Sequence, residues 1–333
     1  ILDGIKIFSC QVFFSKRILV LMFATFQFYS KANKIDADVY QIHSPELILL
    51  GIILKLKGKK IIYDAHEDLP RHILEKEWLF WLPMFLRKLI AFFAEKYLIF
   101  ALKKYDHVIT PHHHVKDLFE KQGINSSLIT NFPIIKTYKK IELKEYLDKD
   151  NIICYTGTVY SYSNQEEILK AIYELKNVKY KVAGYIEPNH LNFLSNLNGF
   201  NSLEYLGRIP WNSLNEFYEK TSIGLVIYDY KLNLGNKLGS FGTNKIFEYM
   251  EASLPIICTN YVLWENIIKE YDCGITVNPG NLSEIKNAIK YLIENKDKAF
   301  KLGQNGRRAV EEKYNWHLQE KDYLKVFEDL NYG

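Results

Sequence analysis

Ten short apolar runs of strand character recur along the chain, and stretches of helical periodicity separate most of them. They are "DVYQI" from position 38, "KKIIYD" from 59, "DHVIT" from 106, "SLITN" from 127, "NIICYT" from 151, "VKYKVA" from 178, "SLEYL" from 202, "SIGLVIY" from 222, "LPIICT" from 254 and "CGITV" from 273. Parallel strands need a long crossover between them, usually a helix, so this alternation predicts βαβ units and parallel sheets with helices on both faces. The charged segment 134–150, "IIKTYKKIELKEYLDKD", lacks strand character and reads as a connection between two such units. A chain of 333 residues is long for one core. The expected class is therefore α/β, with two Rossmann-like domains, 1–133 and 151–314, facing across a cleft.

Ligands of open α/β sheets sit beyond the carboxyl ends of the strands. After the first run come His43, Ser44, Pro45 and Glu46; after the second come His66, Glu67 and Asp68. Histidine can donate to a hydroxyl or accept its proton near neutral pH. The competing reading has Ser44 and Asp68 capping helices and the histidines bonding to backbone. Pro111 followed by His112, His113 and His114 resembles a metal cluster, but Pro111 reads as the first turn of a helix. Consecutive helical side chains diverge by about 100°, so no metal site is expected there.

In the second half, Gly157 follows a strand and would let a ligand approach the backbone; Arg208 also follows a strand. The stretch "FGTNKIFEYMEASLPIICT" (241–259) carries the most chemistry. Gly242 permits a tight path, and Thr243 can cap a helix over 244–252. The free N–H groups of its first turn and the helix dipole favour an anion, to which Lys245 adds a charge. A pyrophosphate fits such a place. Glu248, a turn deeper, can accept from the two hydroxyls of a ribose. The alternative is a surface Lys245–Glu248 pair at i,i+3 contributing about 0.2–0.5 kcal/mol.

A net charge of +4 suggests no duplex-binding surface, and no nucleic-acid partner is expected. Cys10, Cys154, Cys258 and Cys273 stand far apart without a CxxC, which argues against zinc or a redox pair and fits a reducing cytosol. The apolar run 18–28 is too short to span a bilayer and reads as a buried helix. No GxGxxG is present, which disfavours a dinucleotide-dependent dehydrogenase.

Taken in order, "DADVYQIHSPEL", "KKIIYDAHEDLP", "VITPHHHVKDLF", "LITNFP", "TNKIFEYMEASLPIICTN", "DCGITVNPG" and "GRRAVEEKYNW" resemble the family 4 (group 1) glycosyltransferases of the GT-B fold. The resemblance implies a retaining transferase that uses a nucleoside-diphosphate sugar, with no metal or other cofactor. The first domain would bind a glycan or lipid-linked acceptor, the second the donor. A C-terminal helix, 315–333, would cross back to the first domain. By matching position, Glu248 would hold the ribose, and Gly242, Thr243 and Lys245 the diphosphate and sugar. Gly157 and Thr158 would lie near the phosphates, Arg208 near the base, and His66 at the reacting centre as the catalytic residue. His43, Glu46, Glu67 and Asp68 are then acceptor-side candidates. Surface polysaccharide or glycolipid synthesis in the cytoplasm, at the inner face of a membrane, is the implied setting.

Three departures accompany the resemblance. The family often has a glutamate eight residues before Glu248; here stands Ser240, which can bond a sugar hydroxyl without charge. Thr158 and Ser163 occupy positions where a basic residue is usual. The family's first strand and glycine loop are not recognisable, so about 50 residues of the pattern, one βα unit, are expected to be missing before Ile1. A sugar-nucleotide epimerase of the same shape and a catalytically inactive donor-binding subunit remain as alternatives. Finally, 77–104, "EWLFWLPMFLRKLIAFFAEKYLIFALKK", is rich in aromatic and basic residues. It reads either as a core helix or as an amphipathic helix on a bilayer surface, where Arg87, Lys88, Lys96, Lys103 and Lys104 would meet anionic lipid.

Overall fold

A computed structural model describes residues 6–8, 17–76, 79–136, 138 and 141–332. Cys10, Glu77 and Trp78 lie outside the described residues. The chain divides into two compact units, 1–130 with 322–333, and 131–321.

Unit 1 is built on strands β1 (Val39–Ile42), β2 (Lys60–Asp64), β3 (His107–Thr110) and β4 (Ser126–Leu128). They pair in parallel in the order β1-β2-β3-β4. Helix α1 (Arg17–Ile35) precedes β1, and α2 (Ile48–Leu56), α3 (Leu69–Glu75), α4 (Met84–Leu102) and α5 (His113–Lys121) connect the strands. β3 is buried along its whole length, as a parallel strand covered on both faces must be. In α1, Thr25 and Ala32 are buried while Phe26 is exposed.

Helix α4 has two different sides. Ala91, Leu98, Ile99, Ala101 and Leu102 are buried, and the helix packs on α3 and α2. Phe85, Leu89, Phe92, Phe93, Tyr97 and Phe100 are exposed, with Phe85 67% accessible. Their spacing places these residues in one stripe along the helix. Lys96 Nζ lies 5.4 Å from the Phe92 ring centre, and Lys104 Nζ 4.9 Å from that of Phe100. No helix among the described residues is long and apolar enough to cross a membrane.

Unit 2 holds β5 (Ile152–Thr158), β6 (Lys179–Tyr185), β7 (Leu203–Gly207), β8 (Ile223–Val226), β9 (Ile256–Thr259) and β10 (Gly274–Val277). All are parallel, in the order β10-β9-β8-β5-β6-β7. The order reverses between β5 and β8. Connections diverge at such a point and leave a crevice at the strands' carboxyl ends. Its helices are α6 (Leu143–Leu147), α7 (Gln165–Tyr173), α8 (Pro188–Ser195), α9 (Leu214–Glu219), α10 (Asn244–Glu251), α11 (Val262–Tyr271), α12 (Leu282–Glu294) and α13 (Lys296–Glu312). The segment read as a bare connection contains α6, whose Tyr146 is buried and donates to the Ser222 carbonyl at 2.8 Å. The last helix, α14 (Trp316–Tyr332), starts in unit 2 and ends in unit 1.

The core of unit 2 contains many phenols. Tyr155, Tyr180, Tyr218, Tyr228 and Tyr249 are buried, and each hydroxyl has a partner, as buried polar groups require. Cys154, Cys258 and Cys273 are free and buried, and burial pushes the thiols of Cys154 and Cys273 up to about 12. They are inert packing groups rather than nucleophiles.

Candidate functional site

Strand β5 ends at the crevice, and Gly157 there has φ +98°. A side chain would be strained in that region, and a Cβ would stand 2.9 Å from both Cε and Nζ of Lys245. Gly184 pairs with it on β6, where a Cβ would lie 1.9 Å from the Gly157 carbonyl oxygen. Two bare backbones thus form the floor of a cavity of about 380 Å³. It is lined also by Thr156, Arg208, Trp211, Asn244, Lys245 and Glu248.

Helix α10 brings Lys245 and Glu248 to this cavity. Thr243 occupies the N-cap position in extended conformation (φ −90°, ψ 102°), but its side chain makes no capping bond. The sequence reading placed Thr243 correctly and gave its hydroxyl a role that it does not take. Consequently no cap side chain occupies the N–H groups that open the helix, the condition under which such an end binds anions.

Lys245 and Glu248 do not pair. Among the described residues no carboxylate lies within 4.0 Å of the Lys245 ammonium. It is directed instead over Gly157, 5.3 Å from the Tyr155 ring centre and 5.9 Å from that of Tyr228. These aromatic rings belong to β5 and to the segment just after β8, so the ammonium stands at the reversal of strand order. Glu248 turns toward Tyr218, whose hydroxyl donates to Oε2 at 3.2 Å. That hydroxyl also contacts Thr156 Oγ1 at 3.1 Å, and Thr156 N–H donates to Tyr249 at 2.9 Å. Burial, with the Glu248 charge beside it, holds the Tyr218 phenol well above its ordinary range, so it stays a donor. Arg208 lies 5.2 Å above the Tyr185 ring and lines the cavity. Trp211, exposed on the rim, has Lys136 Nζ 3.8 Å from its ring centre. The sequence reading named neither Tyr218 nor Trp211.

Other second-half candidates stand elsewhere. Ser240 is fully buried; its hydroxyl accepts from Gly242 N–H at 3.0 Å and its carbonyl accepts from Trp264 Nε1 at 2.9 Å. It braces the loop and does not line the cavity. The left-handed glycine of that loop is Gly239 (φ 80°) rather than Gly242. Thr158 lies beyond the floor, its carbonyl accepting from Tyr155 at 2.7 Å. Ser163 is buried and accepts from Tyr160 N–H at 3.0 Å.

In unit 1, β1 and β2 end side by side and bring His43, Asp64 and His66 together. His43 Nδ1 lies 3.1 Å from His66 Nε2 and 3.1 Å from Asp64 Oδ2, and His66 Nε2 lies 3.4 Å from that oxygen. Among the described residues these three are the group whose donor atoms could surround a cation, all lying within 4.8 Å of one another. The sequence reading passed over Asp64, the last residue of a strand-like run. Glu46 accepts from the Ser44 hydroxyl and Glu67 is paired with His72, which holds its carboxyl below the usual range.

Asp68 is a buried N-cap of α3. It accepts from Arg71 N–H at 3.3 Å, from the Arg71 guanidinium and from His114 Nε2 at 3.1 Å. Burial alone would raise its pKa, but the bonds from His114 and Arg71 outweigh burial and lower it. Asp68 therefore fits the capping alternative, not an open acceptor surface. The three histidines of 112–114 do not form a metal group. His112 Nε2 donates to the His66 carbonyl at 2.9 Å, and burial lowers its imidazole to about 4. Because that bond and one from His112 N–H to Thr110 Oγ1 keep His112 extended, α5 begins at His113, two residues later than Pro111 suggested.

Known proteins resemble the chain in family and fold. The profile of the family described as Glycosyl transferases group 1 matches residues 138–309, and that described as Glycosyltransferase Family 4 matches 2–133. An uncharacterized glycosyltransferase of Methanocaldococcus jannaschii is 28% identical over 320 residues, covering 89% of this chain and 76% of that protein. Among solved structures, sucrose-phosphate synthase of Thermosynechococcus elongatus superposes with a TM-score of 0.72 at 15% identity, over 95% of this chain and 80% of that one. Anabaena HepE, solved in complex with UDP-glucose, gives 0.69 at 14% identity, over 97% and 86%. The parallel sheets, their order and these matches have one conclusion: the chain belongs to the group 1 glycosyltransferases and is a glycosyltransferase of the GT-B fold.

Proposed function

We propose that the enzyme is a retaining glycosyltransferase whose donor, a nucleoside-diphosphate sugar, binds in the unit 2 cavity. The observation that carries this reading is the Lys245 ammonium, without a carboxylate partner among the described residues, beside the uncapped start of α10 and the bare backbone of Gly157. The diphosphate takes the helix N–H groups and Lys245, Glu248 accepts from the ribose hydroxyls, and Arg208 serves the base side. HepE, with the same fold, was solved with UDP-glucose, which supports a donor of this class. Unit 1 receives the acceptor, and His66, at the end of β2, is the proposed catalytic residue.

In the proposed front-side reaction the bond from the anomeric carbon to the leaving phosphate oxygen breaks as the acceptor oxygen bonds that carbon on the same face. The acceptor proton passes to the departing phosphate. The protein's part is to stabilise charge developing on the diphosphate, for which helix N–H groups and Lys245 are suited. The reading calls for no metal in the donor site. Thermal unfolding against a panel of sugar nucleotides identifies the donor, since a ligand binding only the folded state raises the midpoint. NMR of the product with a glycan or lipid-linked acceptor tests the rest. An inverted anomeric centre, or an epimerised donor formed without acceptor, refutes the retaining transfer.

We also propose that α4 rests on an anionic membrane surface, which would suit a lipid-linked acceptor in polysaccharide or glycolipid synthesis. The exposed aromatic stripe with Lys88, Lys96 and Lys104 nearby supports this. Sedimentation with vesicles containing anionic lipid tests it, and absence of binding at low salt refutes it.

A further inference from the structure

Trp211 stands where two cavities of unit 2 meet. It lines the donor cavity of about 380 Å³ and also a neighbouring one of about 270 Å³, to which Pro133, Lys136 and Glu251 contribute. Large aromatic side chains usually bury most of their surface, yet Trp211 is 64% exposed. A flat apolar ring kept open at the edge of a cavity is a surface on which another flat ring can rest.

One face of the indole is already taken. Lys136 Nζ lies 3.8 Å from the ring centre. An ammonium in the plane of the ring would be held farther off by the ring's own atoms, so this one stands on the face. The lysine is fixed there by three neighbours. Its Nζ donates to Asn215 Oδ1 at 3.3 Å, its backbone N–H donates to Glu251 Oε1 at 2.5 Å, and its carbonyl accepts from the Arg307 guanidinium at 3.1 Å.

Lys136 lines the smaller cavity and not the donor cavity. The covered face therefore looks into the smaller one, where the ammonium already occupies the stacking distance. The opposite face is turned to the donor cavity, beside the apolar side chains of Ala183, Ile209 and Leu214. Glu248 lines both cavities, as Trp211 does.

We propose that the open face of Trp211 is the platform on which the donor's nucleobase stacks, with Lys136 holding the ring from behind. This rests on the donor reading above and adds the group that carries the base. A nucleotide bears its base and its phosphates on opposite sides of the ribose. With the diphosphate at Gly157 and Lys245 and the ribose at Glu248, the base extends away from Lys245 and reaches the indole. Stacking needs no match of hydrogen-bonding pattern, so Trp211 supplies affinity for any base. Arg208, which only donates, is left to favour a base with an oxygen or a bare nitrogen at its edge.

The test separates the base from the phosphates. Calorimetric titration of the full chain with UDP, GDP, ADP and CDP selects the tightest binder, and inorganic pyrophosphate is the probe without a base. The readout is the ratio of nucleotide to pyrophosphate affinity, in variants shown by thermal unfolding to be folded. Trp211→Ala should lower this ratio on the order of tenfold or more, and Trp211→Phe, which keeps a ring, by less than about threefold. Lys136→Met should lower it roughly threefold by freeing the indole. A ratio within about twofold of wild type in Trp211→Ala overturns the inference. A Trp211→Phe variant as weak as Trp211→Ala also overturns it, since the contact would then belong to the indole N–H and not to the face. An unchanged ratio in Lys136→Met overturns the part given to the ammonium. A wild type that binds none of the four nucleotides overturns the donor reading, and this inference with it; nucleotide binding that ignores Trp211 overturns this inference alone.

Discussion

Replacing Glu248 by alanine tests the donor site most sharply, because the structure separates its binding role from its structural one. In the proposed complex the carboxylate accepts from two ribose hydroxyls, and bonds to a charged group contribute about 1.5–3 kcal/mol each. Water entering the space left by the side chain favours the lower figure, so the expected loss is about 3 kcal/mol, on the order of 150-fold in Kd. Glu248→Gln keeps an acceptor oxygen but loses the charge, and about half that loss, on the order of tenfold, is expected. Stability should change little. The Tyr218 hydroxyl that donates to Glu248 also faces Thr156 Oγ1 at 3.1 Å and so keeps a partner. A cost within about 1 kcal/mol follows. Calorimetric titration with the nucleotide sugar that best raises the melting temperature measures the first effect, and denaturant unfolding the second. If Glu248→Ala binds within about twofold of wild type while remaining folded, the ribose assignment is wrong.

Other outcomes are expected from the same geometry. Lys245→Met should weaken donor binding by about 1.5–3 kcal/mol and flatten its salt dependence; a free nucleoside lacking phosphate should bind equally to both proteins. Tyr218→Phe should loosen Glu248 and raise the donor Kd roughly tenfold with Lys245 contacts intact, measured by the same calorimetry. Burial pulls the Lys149 ammonium down to about 8 from 10.5. The unfolded chain thus binds more protons than the folded one between these values, and stability should rise with pH across that window. Unfolding at several pH values should show the slope reduced in Lys149→Met. Phe92→Glu with Phe93→Glu should abolish sedimentation with anionic vesicles while leaving donor affinity unchanged.

Most strands were legible because parallel strands covered on both faces read as continuous apolar runs; each of the ten runs overlaps a strand, although the one from 127 catches only the last two residues of β4. The start of α10 was legible from Thr243, but what its side chains do was not. At i,i+3, Lys245 and Glu248 can meet each other or diverge, and only the packing of Tyr155, Tyr228 and Tyr218 around them settles which. Tyr218 is 30 positions from Glu248 and resembles any core aromatic. Asp64 was hidden at the end of an apolar run, and its partner Gln41 is tied to Tyr323, 282 positions away. At Ser240 a family position suggested a ligand contact, and what the sequence did not show is that its hydroxyl accepts from Gly242 N–H within the loop.

The phenols inside unit 2 give the protein an optical property. Burial holds Tyr155, Tyr180, Tyr218, Tyr228 and Tyr249 above the range in which an accessible tyrosine ionises. In strong alkali, ultraviolet absorbance should therefore climb in two stages: a reversible one from surface rings, then an abrupt one when the second unit comes apart and these rings lose their protons together. That second step would report the opening of one half of the molecule without any attached dye.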